Sequence, residues 1–314
     1  MFDNKPRYSY FGQFGILIGL LGVGMILAAI IQMLFALSMM SMAELMLGDT
    51  KKLLSVMSQP ENINKARLMQ MLGTFAMFFL PAFLFALLIS KKPLDYLGLK
   101  KQTHLNQILL VIAIAITALF LSGGLGELNK IIPIPQNWAV KFKAMEDNYS
   151  EQVMMLSNMS SFTDYLISLI MIAILPAIFE ELLFRGALQQ FFINWFNNPH
   201  IAIFVTSFLF SIIHFSYYGF LPRLALGLML GYIYYFSKNI KLSMLMHFIN
   251  NGIAITALYF ATKNGGDPKK VMDESYPIWV AAITLVIVLY LFQKYKNICS
   301  IKNETNTTND FNIE

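Results

Sequence analysis

Glu180, Glu181 and Arg185 stand within one short stretch of the apolar run LISLIMIAILPAIFEELLFRGALQQFF. A charged side chain in hydrocarbon costs about 2.5 kcal/mol or more, so each one left there needs a partner or a purpose. At about 100° per residue, Glu181 and Arg185 stack one helical turn apart with the carboxylate before the cation, the favourable order for a pair. Glu180 projects to a different face and has no local partner. A carboxylate out of water and without a cation is the type of group that works as a general base near neutral pH, which makes Glu180 the candidate base. Pro176, four residues earlier, frees a backbone carbonyl and kinks the helix beside it, an arrangement compatible with a water-filled cavity.

Two further apolar runs carry polar groups. Phe210-Ser-Ile-Ile-His214 places a ring and an imidazole one turn apart, and LSMLMHFINNGIAITALYF sets His247 and Asn251 on one face with Asn250 beside them. A single His or Asn in a membrane helix more often ties two helices together. Polar groups on three runs point instead to a shared cavity. Ser211 and Ser243 are near these histidines, but no G-x-S-x-G or S-x-x-K pattern marks either as a nucleophile, and H-E-x-x-H is absent. His104 and His200 read as solvated or interfacial, and Tyr217 and Tyr218 as membrane-edge anchors.

Taken together, Glu180-Glu181-x-x-x-Arg185, Phe210-x-x-x-His214 and His247-x-x-x-Asn251 resemble the motif set of the CAAX protease and bacteriocin-processing family, the type II CAAX prenyl endopeptidases and their prokaryotic relatives, over about residues 165–260. The resemblance implies an eight-helix intramembrane endopeptidase with a conical hydrated cavity. It assigns water activation to Glu180 with a contribution from His214, oxyanion stabilisation to His247 and Asn251, and supporting positions to Glu181, Arg185 and Phe210. Two histidines and a glutamate are also a common zinc set, so His214 and His247 would be ligands if zinc were present. The two imidazoles come from different runs and no i, i+4 pair of histidines exists, which favours direct polarisation of water without a metal. A non-catalytic bacteriocin-immunity or scaffold protein of the same family is the alternative. A proton-coupled transporter fits less well, because inverted hydropathy repeats are missing.

The elements that must hold these residues follow from composition. Of 314 residues, 57% are apolar or aromatic and 13% are charged, with a mean hydropathy of +0.58. A soluble domain carries about a quarter charged residues, so this chain lacks the polar surface to cover itself in water. Apolar runs at about 12–39, 68–90, 106–124, 165–192, 200–216, 218–237, 242–261 and 276–294 predict an all-α, polytopic integral membrane protein with about eight spans enclosing a polar cavity. The fifth and sixth runs form a tight antiparallel hairpin, with Pro222 in the first turn of the sixth. Segments 40–67 and 125–164 read as extramembrane loops with some amphipathic helix.

Residues 1–160 thus form an N-terminal group of three spans, 161–262 a catalytic core, and 263–314 a last span with an Asn- and Thr-rich tail of disordered composition. The first run continues for about 28 residues without a signal-peptide cleavage site, which reads as a retained span. Lys and Arg are denser in the short loops of one side, placing both termini in the cytoplasm of a cell membrane protein. A net charge of +5 without a basic, aromatic-interleaved cluster makes nucleic acid no partner, leaving the lipid bilayer and a membrane-associated peptide or protein substrate. Cys299 is the only cysteine, so neither an intrachain disulfide nor a thiolate cluster supports the fold.

Overall fold

The computed structural model describes residues 7–157, 159–272 and 275–310, with side chains described as far as Ser300. Among the described residues every regular element is a helix. The long helix α1 (Tyr10–Leu37) is followed by two short ones, α2 (Met42–Met46) and α3 (Thr50–Met57), in the first predicted loop. Next come α4 (Ile63–Ile89), the short α5 (Pro93–Tyr96), α6 (Leu105–Lys130) and the amphipathic α7 (Gln136–Leu156). The centre of the chain is α8 (Phe162–Phe196), then α9 (Pro199–Ile212), α10 (Phe220–Ser237) and α11 (Ile240–Lys263). A short α12 (Pro268–Met272) leads to α13 (Ile278–Asp310).

Six of these helices, α1, α4, α6, α8, α11 and α13, are long and apolar enough to cross a membrane. Of the eight runs predicted, the other two are the hairpin. At 14 residues α9 spans only about 21 Å at 1.5 Å per residue, short of a hydrocarbon core of about 30 Å. The 18-residue α10 carries Arg223 and three tyrosines, Tyr232, Tyr234 and Tyr235, which keep it outside the set. Along α1 and α13, large apolar side chains such as Ile26, Leu34, Val286 and Leu289 stand exposed, as a lipid-facing surface requires.

The hairpin closes in antiparallel register, with Gly227 against Ser207 and Gly231 against Ile203. Of three apolar clusters among the described residues, the two larger hold the assembly. One joins α1, α4, α8 and α10 through Leu17, Phe85, Phe184, Phe191 and Tyr234, and the other joins α6, α10, α11 and α13 through Ile114, Leu230, Met246 and Tyr295. Where α6 meets α13 the backbones approach closely. A Cβ on Gly124 would lie 2.6 Å from the Cβ of Ala281 and 2.9 Å from its backbone nitrogen. Gly124→Leu is therefore expected to destabilise the protein by about 1–3 kcal/mol through overpacking, read as a lower thermal midpoint in detergent. An unchanged midpoint would show that α13 is not seated there.

The end of the chain departs from its composition. Helix α13 continues past Ser300 to Asp310, through most of the tail whose Asn and Thr content predicts disorder, while residues 311–314 of that tail lie outside the described residues.

Candidate active site

Helix α8 is irregular where the chemistry sits. Pro176 has no N–H to offer the carbonyl of Ile172 one turn before it, and wider π-type turns occupy Leu169–Ile174 and Leu182–Gln189. The freed Ile172 carbonyl accepts from Nδ2 of Asn251 at 3.2 Å. Oδ1 of Asn251 in turn accepts from Nδ2 of Asn250 at 3.1 Å, so the amide is oriented at both ends and keeps one further N–H.

Glu181 and Arg185 pair as their spacing predicts. Nη1 of Arg185 donates to Oε1 of Glu181 at 2.8 Å, with the two residues 1% and 0% exposed. Nη2 of Arg185 reaches across to the carbonyl of Gly227 at 3.0 Å, and one turn further Nε2 of Gln189 donates to the carbonyl of Gly231 at 3.0 Å. The guanidinium also lies over the ring of Phe210, 4.7 Å from its centroid. That ring meets His214 and His247 edge-on, at centroid distances of 5.0 and 5.9 Å, and so fills the space between the cation and both imidazoles.

His247 stands between the two carboxylates. Its Nδ1–H donates to Oε1 of Glu181 at 3.0 Å, and its Nε2 lies 3.9 Å from Oε2 of Glu180. The chain Arg185, Glu181, His247 thus fixes the tautomer and direction of the imidazole that faces Glu180. Glu180 retains 9% exposure, while Glu181 has none. His214 is placed differently from the sequence reading. It lies two residues past the end of α9, in the turn to α10, and not on the helix itself. The turn returns its ring to the helix end, where Nδ1–H donates to the carbonyl of Phe210 at 2.7 Å and leaves Nε2 as an acceptor.

That turn is held from outside. Asn129, 1% exposed near the end of α6, donates through Nδ2 to the carbonyl of Tyr217 at 2.9 Å and accepts from the N–H of Leu221 at 3.0 Å. Ser216 donates to Oε2 of Glu146 on α7 at 2.6 Å, and Tyr217 stacks on Phe142 at 4.9 Å. Sequence reading missed Asn129, whose role depends on a contact 88 positions away. It also missed Gly227 and Gly231, although a G-x-x-x-G pattern in an apolar run is a recognisable sign of close helix approach. Arg223, buried in part near the same turn, gave no motif.

The remaining candidates fall outside. Ser211 donates to the carbonyl of Phe220 and Ser243 to that of Ile240, so neither hydroxyl is poised as a nucleophile. His200 bonds Tyr232 at 2.9 Å, and His104 precedes α6. Among the described residues, no group of three or more His, Cys, Asp or Glu is arranged to hold a metal ion. Nδ1 of His247 is engaged by Glu181 and Nδ1 of His214 by a carbonyl, which leaves Nε2 of each ring free. Two apolar cavities lie to the sides. One of about 390 Å³ is lined by Gln32, Met33, Met42 and Met57, and one of about 470 Å³ by Tyr165, Phe248, Gly252 and Phe260.

Residues 162–253 match the family model described as Type II CAAX prenyl endopeptidase Rce1-like. The match covers less than a third of the chain and includes Glu180, Glu181, Arg185, Phe210, His214, His247 and Asn251. No curated protein and no solved structure matches the chain.

Proposed function

We propose that this chain, which carries an Rce1-like domain over residues 162–253, is an intramembrane endopeptidase that hydrolyses a peptide bond in membrane-associated substrates of the prenylated CAAX type. The observation that carries the reading is His247, held between two carboxylates by a buried Glu181–Arg185 pair. Apolar residues of the same volume would serve the fold at least as well as such a network, so its presence supports a role in chemistry.

In this reading a water sits between Glu180 and Nε2 of His214. Glu180 takes a proton from it as the oxygen adds to the substrate carbonyl. The resulting oxyanion is met by the remaining N–H of Asn251 and, in its protonated form, by Nε2–H of His247. Glu180 then returns the proton to the leaving amine nitrogen, and the C–N bond breaks. Glu181, Arg185 and Phe210 orient His247 and do not touch the substrate. Zinc has no part in these steps. The catalytic core is residues 161–262, set in a cell membrane with both termini cytoplasmic.

Asn251→Ala removes an oxyanion donor and is expected to lower kcat about 10²–10³-fold with KM little changed. A KM effect alone would assign Asn251 to substrate binding. The test of the function itself uses the full chain in liposomes with an S-prenylated CAAX-type peptide and mass-spectrometric detection of the released tail. Cleavage that survives exhaustive chelation is the expected result. No product, or activity restored only by Zn²⁺, would overturn the corresponding half of the proposal.

A further inference from the structure

Arg223 is the charged group of this region that the reaction leaves unused. It stands in the first turn of α10, where the backbone dipoles already present positive charge and no acidic residue accompanies it. Its guanidinium packs against Gly219, in space that any Cβ on that residue would occupy. Nη1 is buried without a hydrogen-bond partner, and the described contact of the guanidinium is the ring face of Tyr149, 5.3 Å from Cζ. Glu146, on the same helix as Tyr149, is occupied by Ser216, which also accepts from the N–H of Gly219 at 3.0 Å. Gly219 and Ser216 belong to the turn that carries His214, so Arg223 borders that turn. A buried N–H of a cation without an acceptor is unfavourable, and an incoming anion relieves it by a charge-assisted hydrogen bond.

We propose that Arg223 receives a carboxylate of the substrate peptide and thereby sets which bond is presented to Glu180. The assignment rests on the endopeptidase reading and adds a specificity determinant to it. An extended peptide advances about 3.3–3.6 Å per residue, so a carboxylate anchored at Arg223 places the bond to be cut within a few residues of it. The carboxylate is either the terminal one or an acidic side chain near the end.

Three S-prenylated peptides separate these sources: one with a free terminal carboxylate, the same sequence as a terminal carboxamide, and that carboxamide with its last residue replaced by Glu. The wild-type chain in liposomes is expected to favour a carboxylate-bearing peptide over the plain amide by about tenfold or more in kcat/KM, with the difference in KM. In Arg223→Gln that ratio falls below about twofold, and Arg223→Lys recovers part of it. The ratio is taken on a single preparation, so loss of folded protein cancels. Preference for the free acid alone identifies the terminal carboxylate, and equal preference for the Glu peptide identifies a side chain. Either result supports the assignment. A wild type without preference, or Arg223→Gln retaining it, overturns it. Binding of the same fluorescently labelled peptides to the Glu180→Gln chain gives a reading independent of turnover: equal affinity for acid and amide defeats the Arg223 assignment, whereas absence of hydrolysis by the wild type defeats the endopeptidase reading.

Discussion

Glu180→Gln is expected to reduce peptide cleavage by about 10³-fold or more while leaving the chain folded. The amide keeps the shape of the carboxylate but accepts no proton from water. Little structure depends on the charge, because the described ion-pair partner of Glu180 is His247, and that at 3.9 Å. The measurement is mass spectrometry of substrate tails from membranes holding the wild type or the variant, with thermal midpoints compared in parallel. Cleavage above about a tenth of the wild-type rate would remove Glu180 from the chemistry. Retained biological activity with no cleavage by either form would favour an immunity or scaffold role.

Arg185→Met should instead cost the fold. It strips the cation from Glu181, which has no exposure and would then face His247 alone, and it abandons the carbonyl of Gly227. Breaking a buried pair from one side typically costs about 3–5 kcal/mol, a large share of the stability of most domains. The variant is expected to give little protein of native midpoint. Glu181→Gln combined with Arg185→Met removes the stranded charge, so the double variant should recover by about 1–3 kcal/mol over Arg185→Met alone. Strict additivity of the two changes would show that the pair is not coupled, and that His247 is oriented by something else.

Legibility in the sequence followed the range of the interactions. The Glu181–Arg185 pair is local, one turn of one helix, and the four-residue spacing within an apolar run indicated it. Pro176 announced a freed carbonyl, yet nothing in the sequence said that Asn251, 79 positions on, would take it. The hairpin was readable from two apolar runs and a short break, but its helices are shorter and more polar than membrane-spanning segments. The break was also longer than Tyr217-Tyr218-Gly219, which put His214 on the turn. Asn129 was unreadable because an asparagine near the end of a helix is common and its function lies entirely in its distant partners.

The matched spacing of Arg185 and Gln189 on one helix with the carbonyls of Gly227 and Gly231 on the other works as a two-toothed ratchet. Any slide smaller than a full turn disengages both teeth at once, so the second half of α8 and the body of α10 travel together or not at all. What freedom the site retains therefore falls to the first half of α8 and its border with α11, where a side-chain amide stands in for a bond of the backbone.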